Sequence, residues 1–440
     1  MNTGLQPVLR ILLRSFSLAV ACVLPVGLQA AGSEHLGIAG IRLEFFAFGL
    51  TLLGVALLHK HTLAVSLSGL VLMVLVRLLQ GDGDWMLRHL LGHEGHAGEW
   101  LSLLNLFGLL MGFTLLTWHF EASHLPKVLP KYLPKDWRGG LVLLFGVMVI
   151  SSFLDNIAAA VIGGTLAASL YGGRVHIAYI ASIIAASNAG GAGSVVGDTT
   201  TTLMWIDGVP PVKILPAFIA SLGAFAIFGP LGAIAQHRHQ PMQLPEGDTV
   251  KLEPARLLIV FLILAAAIAA NWALGLPALG VWAAILVGAL IRKTAFSELR
   301  EALPGSVFLI ALVSAASLVP VEELPSASWQ FTLALGFVSA VFDNIPLTKL
   351  CIVQGGYDWA LLAYAVGFGG SMMWFGSSAG VALSNLYPES RSALKYLRHA
   401  WFIILAYLAG FFLQYHLAGW HPYEHRQPAA GVEQSAPAHP

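Results

Sequence analysis

Two Asp-Asn pairs lie in strongly apolar sequence, Asp155-Asn156 in SSFLDNIAAAVIGG and Asp343-Asn344 in SAVFDNIPLTKL. Burying a carboxylate in such a segment is costly unless the carboxylate has a partner. A third carboxylate, Asp198, follows a glycine-rich stretch in ASNAGGAGSVVGDTTTTLMW. Carboxylate, amide and hydroxyl oxygens can replace the water shell of a hard cation, and a carboxylate can also bind a proton. These residues therefore indicate a site where sodium and a proton compete.

The composition places most of the chain in a lipid bilayer. Of its 440 residues, 57% are hydrophobic and only 10% are charged, whereas soluble domains are about a quarter charged. The formal net charge is zero, which gives no reason to expect a nucleic-acid partner. Cys22 and Cys351 lie in separate apolar segments and predict neither a disulfide framework nor a metal site. The sequence therefore predicts an all-α polytopic membrane protein.

Two apolar segments are interrupted in a way that predicts re-entrant helical hairpins. In 140–171, each arm beside the Asp-Asn pair has about 14 residues, or about 21 Å of helix, which is shorter than the roughly 30 Å hydrocarbon core. Segment 329–354 has the same form, and Pro346 favours the break. The other apolar segments predict spanning helices at 41–58, 62–79, 100–118, 213–236, 256–274, 278–291, 305–319 and 396–415.

Each predicted hairpin is followed by an apolar segment that contains several glycines, 186–205 in the first half and 367–385 in the second. Glycine weakens the centre of a helix, so each segment predicts a broken transmembrane helix. Hairpin and broken helix thus occur twice in the same order. This internal repeat is typical of secondary transporters.

The basic loops predict that the two repeats have opposite orientations. Four basic residues between positions 127 and 138 mark that loop as cytoplasmic. Tracing the predicted helices from there places the acidic turn Glu322-Glu323 outside, so the first hairpin enters from the cytoplasm and the second from outside. We therefore predict inverted-topology repeats at 38–236 and 255–420, joined by a cytoplasmic linker at 237–254.

Both ends of the chain are predicted to lie outside the two repeats. Residues 1–31 resemble a secretory signal peptide, since Arg10 and Arg14 precede an apolar stretch that ends near small residues at Ala30. A short additional transmembrane helix is the alternative. The tail 421–440 is rich in Pro and Ala and is predicted to be disordered. The orientation puts the N-terminus after cleavage and the C-terminus on the outer side of a bacterial inner membrane.

The predicted ion-binding site combines oxygens from both repeats, because hairpin tips and broken helices of inverted repeats meet near the membrane midplane. Its members are Asp155, Asn156, Asn188, Asp198, Thr199, Asp343, Asn344, Ser377 and Ser378. Sodium and the proton are transported species, and no resident cofactor or transition-metal site is predicted. The structural alternative is that these side chains only cap helix ends. Lys349 is a candidate charge partner of Asp343 or Asp198, or extends to the outer surface.

Three motifs resemble those of the NhaD-type sodium/proton antiporters, in the ion transporter superfamily that also holds citrate, dicarboxylate and arsenite carriers. They are SNAGGAGSVVGDTTTTLMWIDG at 187–208, DNIPL, and GGSMMWFGSSAGV. The resemblance implies inverted repeats with a re-entrant hairpin and an unwound helix each, and it leaves a homodimer open because dimers are common in the superfamily. Val195-Val196 and Gly193 depart from the family pattern, which bears on ion identity more than on fold.

The predicted function is secondary active exchange of sodium, or lithium, for protons by alternating access, with the bilayer and small inorganic cations as partners. A citrate or dicarboxylate carrier is the alternative. Such carriers tend to have neutral Ser-Asn-Thr at the hairpin tips, whereas two tip carboxylates would repel a dianion by several kcal/mol in a partly dry site. An enzyme is not expected, because the sequence shows no nucleophile–base pair, metal-ligand motif or nucleotide-binding loop.

Overall fold

The computed structural model describes residues 37–38, 41–58, 61–93, 96–243 and 251–423. The predicted signal peptide 1–31, most of the predicted tail 421–440 and residues 244–250 of the predicted linker lie outside the described residues. The strands in the described part form two short antiparallel pairs, β1 (Gly37–Ile38) with β2 (Ile41–Arg42) and β3 (Gly92–His93) with β4 (His96–Ala97). Almost all the remaining regular structure is helical.

Most of the helices of eight residues or more overlap the predicted segments, but the helix predicted at 305–319 begins at Glu298, and the helix Gly83–Leu91 was not predicted. In the first half they are α1 (Leu43–Leu57), α2 (Thr62–Leu79), α3 (Gly83–Leu91), α4 (Glu99–Ala122), α5 (Trp137–Ser151), α6 (Asn156–Leu170), α7 (Ile177–Ala192), α8 (Thr199–Ile206) and α9 (Ala217–His239). In the second half they are α10 (Pro254–Leu274), α11 (Pro277–Ile291), α12 (Glu298–Ser317), α13 (Trp329–Ser339), α14 (Asn344–Gln354), α15 (Trp359–Gly369), α16 (Ser378–Leu386), α17 (Ala393–Ala400) and α18 (Phe402–Ala418).

Several of these helices are long and apolar enough to cross a bilayer, which confirms the prediction of an all-α polytopic membrane protein. Among the described residues, five helical segments meet that test alone, and α17 with α18 forms a sixth that is bent by 58°. The bend lies within the single span predicted at 396–415. The sequence signal for it is weak, because Trp401 at the bend is itself apolar.

Short non-helical segments separate α5 from α6, α7 from α8, α13 from α14, and α15 from α16. The break between α7 and α8 covers 193–198, and a 3₁₀ turn at Gly370–Met372 begins the break between α15 and α16. Helices α7 and α15, which lead into these breaks, are buried on nearly every side. Their many Ala and Gly residues allow neighbouring backbones to approach closely. The core of the molecule therefore lies beside the two interrupted helices.

The loops gather on two opposite faces of the molecule. We call one the basic face, formed by 123–139, 171–176, 239–243, 251–256, 292–298 and 387–399. Across it, the Glu253 N–H donates to the Ser123 carbonyl at 3.0 Å, and the His176 ring packs against those of His239 and His399 at 5.3 and 5.2 Å. The opposite face contains 318–325, where the Leu318 carbonyl accepts a 2.7 Å hydrogen bond from Arg77.

The two halves of the chain pack against each other through the helices beside the four breaks. Helix α6 contacts α16 of the second half, and α14 contacts α8 of the first half. Within each half, α5 packs on α7 and α13 packs on α15. Ser151 Oγ donates to the Ser187 carbonyl at 2.5 Å, and Ser339 Oγ donates to the Val366 carbonyl at 2.6 Å. These paired contacts hold the four helix breaks next to one another.

Candidate functional site

Asp155, Asp198 and Asp343 are the N-caps of α6, α8 and α14. In each, one carboxylate oxygen accepts the main-chain N–H two residues later, at 3.2, 3.2 and 3.0 Å. The neighbouring Asn156 and Asn344 are the first helical residues instead, so the aspartates do the capping. A helix N-terminus stabilises negative charge. Capping therefore explains how these carboxylates remain in apolar surroundings, and it uses only part of their hydrogen-bonding capacity.

Asp198 retains an oxygen that nothing satisfies in the described part of the chain. The residue is 2% exposed, and its Oδ2 has no hydrogen-bond partner. Gly367 of the other half lies beside it, where an added Cβ would come within 3.3 Å of Oδ2. Leaving a buried charged oxygen without a partner is costly. A cation or a proton at Oδ2 would remove that cost.

A chain of amide and hydroxyl groups joins the two halves beside this carboxylate. Asn156 Nδ2 donates to Asn188 Oδ1 at 3.1 Å. Asn188 Nδ2 in turn donates to Ser371 Oγ at 2.9 Å and to Ser377 Oγ at 3.1 Å. The sequence predictions did not include Ser371. Its hydroxyl within GGSMM, just before the predicted Ser377-Ser378 pair, was the available signal.

The second-half carboxylate has a hydroxyl partner from the second broken helix. Ser378 Oγ donates to Asp343 Oδ2 at 3.0 Å, whereas the Asn344 Nδ2 has no partner among the described residues. Asp155 and Asp343 both lie near enough to Asp198 for their charges to interact with it. The structure thus gathers the predicted polar residues of both halves around the helix breaks.

Two cavities reach these residues. The larger, about 690 Å³, is lined by Asp155, Asp198, Thr199 and Ser378. It extends to the end of α4 and the first turns of α12, next to the basic face. The smaller, about 260 Å³, is lined by Asp343 and by Ser378, which is common to both cavities. Water-sized ions therefore have a route to the carboxylates.

Hydroxyl groups of the first broken helix hold its non-helical segment in place. Thr201 Oγ1 donates to the Ser194 carbonyl at 2.5 Å, and Thr202 Oγ1 donates to the Val195 carbonyl at 2.8 Å. These two threonines are structural, because their hydroxyls are engaged by backbone. Thr199 lines the larger cavity beside Asp198.

Lys349 pairs with neither Asp343 nor Asp198. It is 1% exposed, and its Nζ lies 2.8 Å from Glu99 Oε1 and 3.9 Å from Asp207 Oδ1. Helix α14 begins at Asn344, directly after Asp343, and runs away from it, so a side chain farther along the helix meets the start of α4 and the end of α8. The prediction of a hairpin charge partner is corrected to a buried ion pair among three helices.

We expect Lys349→Met to destabilise the folded protein, because it removes the ammonium group that lies 2.8 Å from the nearly buried Glu99 carboxylate. Breaking one side of a buried ion pair costs about 3–5 kcal/mol. The thermal midpoint in detergent should fall well below that of the wild type, and adding Glu99→Gln should recover part of the loss. Lys213→Met is the matched control, since Lys213 is exposed. Equal midpoints for Lys349→Met and the control would contradict the ion-pair assignment.

The sequence of the chain is similar to those of several known proteins. The chain is 25% identical over 337 residues to sodium/proton antiporter 1 of Arabidopsis thaliana, which covers 65% of this chain and 55% of that protein. It is 26% identical over 328 residues to the Na⁺/H⁺ antiporter NhaD of Alkalimonas amylolytica, covering 62% and 67% of the two chains. The chain is similar to the NhaD-type sodium/proton antiporters. A third relative, the NhaD of Vibrio parahaemolyticus, is 26% identical over 318 residues, covering 60% and 77%.

These NhaD relatives confirm the family resemblance predicted from the motifs. They are named as antiporters and not as enzymes. No protein-family model matches the chain. The matched region spans only about half the length of the Arabidopsis protein.

Proposed function

We propose that the chain is a secondary active transporter that exchanges sodium, or lithium, for protons across a membrane by alternating access. The observation that carries this proposal is the unpartnered Oδ2 of Asp198 in a cavity that also contains Asp155. Two carboxylates and nearby hydroxyls suit a small hard cation. The names of the NhaD relatives support the same activity.

Competition at Asp198 couples the two ions. The deprotonated carboxylate, with oxygens of Thr199 and Ser378, binds sodium from one side of the membrane. Protonation of Asp198 neutralises the charge that holds sodium, so the ion leaves and the proton is carried back. Because either ion excludes the other, each passage of sodium in one direction requires a proton in the other.

The proposed architecture is two inverted repeats, 38–236 and 255–420, joined by the linker 237–254. Contacts at the helix ends support two re-entrant hairpins. The Gln243 N–H donates to the Leu170 carbonyl at 2.7 Å, so α6 ends on the basic face where α5 begins. Gln354 Nε2 donates to the Leu324 and Pro325 carbonyls at 3.4 and 2.8 Å, so α14 ends near the start of α13 on the opposite face.

The orientation in a bacterial inner membrane follows from the basic face, which we assign to the cytoplasm. The larger cavity then opens toward the cytoplasm, and the N-terminus after cleavage and the C-terminus lie outside. Single cysteines at Lys131 and Arg292 should be protected from an impermeant thiol reagent added to intact cells. Cysteines at Gly92 and Glu323 should react. Equal labelling of the Lys131 and Glu323 sites, in cells shown to be intact, would rule out this arrangement.

Transport in everted membrane vesicles tests the proposed function. A respiration-driven pH gradient is established, and its collapse is followed after adding chloride salts of sodium, lithium, potassium or choline, or choline citrate. We expect collapse with sodium or lithium, little with potassium, and none with choline citrate beyond the choline chloride control. Collapse driven by citrate alone would instead indicate an anion carrier, the alternative function. Vesicles without the protein control for host antiporters.

A further inference from the structure

Three glutamates outside the predicted site line the mouth of the larger cavity. Glu121 lies at the end of α4, and Glu298 and Glu301 lie in the first turn of α12. Helices α4 and α12 pack against each other. Among the described residues, no lysine or arginine forms an ion pair with any of the three. The mouth of the cavity therefore has a concentration of negative charge that no close ion pair neutralises.

The arrangement of these glutamates is unfavourable for stability by itself. Glu298 lies close enough to Glu121 for the two like charges to interact, and Lys127 offsets them only in part. Neither glutamate makes a hydrogen bond that would explain its position in the described structure. Like charges at one opening repel each other unless cations in the solution or in the cavity offset them. This cost suggests that the charge is retained for something other than folding.

An independent feature of the same cavity indicates what the charge attracts. The cavity continues from the glutamates to Asp198, whose buried Oδ2 has no partner in the described structure. An oxygen of this kind at the inner end requires a cation or a proton. The mouth and the inner end of the cavity thus both favour a positively charged ligand, and one continuous space joins them.

We propose that Glu121, Glu298 and Glu301 form an acidic vestibule that captures monovalent cations for the Asp198 site and repels anions. The role in capture rests on the proposed exchange function. A cleft with one sign of charge and walls of low dielectric raises the local concentration of counterions by about tenfold or more. The vestibule acts before binding at Asp198. It therefore lowers the sodium concentration needed for half-maximal rate and leaves the maximal rate nearly unchanged.

Kinetics in everted vesicles test the capture role. We expect the triple variant Glu121→Gln, Glu298→Gln, Glu301→Gln to raise the apparent KM for sodium about five- to tenfold at low ionic strength, with Vmax within about twofold. Added choline chloride should reduce the difference in sodium KM between the wild type and the triple variant, because the salt screens the glutamate charges of the wild type. Glu322→Gln, the same change on the opposite face, should leave KM unaltered. An unchanged KM in the triple variant, or an equal rise with Glu322→Gln, would overturn the proposal.

A second measurement tests the vestibule charge without transport. Thr117 also lines this cavity, and Thr117→Cys, in a background with Cys22 and Cys351 replaced by Ala, is treated in everted vesicles with cationic and anionic methanethiosulfonates. We expect the cationic reagent to react faster, and the rate ratio to fall at least fivefold in the triple variant. An unaltered ratio would overturn the vestibule even if sodium exchange is observed. A reduced ratio with no sodium exchange in the wild type would support the vestibule and refute the proposed function.

Discussion

Asp198→Asn should abolish sodium-driven proton movement while the protein still inserts in the membrane. The amide keeps an oxygen at the cavity and can still cap α8, but it can neither carry the proton nor supply the charge that holds sodium. We expect exchange in everted vesicles to fall to the level of vesicles without the protein. Asp198→Glu keeps a titrating carboxyl and displaces it by one methylene, so partial activity with an altered preference between sodium and lithium is expected.

Asp136→Asn is the matched control for this substitution. Asp136 caps α5, where its Oδ1 accepts the Arg138 N–H at 3.0 Å, and it is exposed on the basic face, away from both cavities. The control makes the same chemical change at the same kind of cap, so it should retain wild-type exchange. If Asp198→Asn kept pH-dependent exchange at the wild-type level, the proton would have to travel through another group, with Asp155 and Asp343 the next candidates.

The carboxylates at the two proposed hairpin tips should be needed as well. We expect Asp155→Asn and Asp343→Asn each to weaken the apparent sodium affinity by about tenfold or more, since each removes at least about 1.4 kcal/mol of attraction for a cation. Asp155 lines the same cavity as Asp198. Asp343 accepts a hydrogen bond from Ser378 Oγ, which the amide oxygen of an asparagine can still accept, so the variant mainly removes the charge.

Initial exchange rates are measured at several sodium concentrations over a pH series, and the apparent sodium affinities of the two variants are compared with that of the wild type. Protein levels in the vesicle membranes must be matched, because each aspartate is also a helix cap. Wild-type exchange across the whole series in either variant would remove that aspartate from the mechanism, and its position would then be explained by capping alone.

Residue preferences for helix ends predict the positions of the helix breaks well, because the residues that cause each break are adjacent in the sequence. The aspartates at 155, 198 and 343 begin helices, as N-cap preference implies. Glycines mark the segment before Asp198. The same rules rank Asn and Asp as nearly equal caps, so they do not decide which member of an Asp-Asn pair ends outside the helix. In the first pair, Asn156 Nδ2 donates to Asn188 of a neighbouring helix, a contact that the local sequence does not indicate.

Contacts between segments that are distant in the chain could not be predicted from the sequence. The partners of Lys349 come from the start of α4 and the end of α8, and nothing near Lys349 in the chain indicates either. Ser371 joins the site only because Asn188 of the other half reaches it. Glu121 and Glu298 meet at one cavity from helices that are far apart in sequence. In each case the function of a residue depends on how non-adjacent helices pack.

The dependence of sodium affinity on pH tests competition at a shared carboxylate most directly. Purified wild-type protein is reconstituted in proteoliposomes, and the apparent KM for sodium is measured from initial rates over a pH series. If one proton competes with sodium, KM should rise as pH falls, by up to about tenfold per pH unit, while Vmax at saturating sodium changes much less. A sodium KM that stays constant over the series, in a protein that does exchange the two ions, would show that sodium and the proton do not share Asp198.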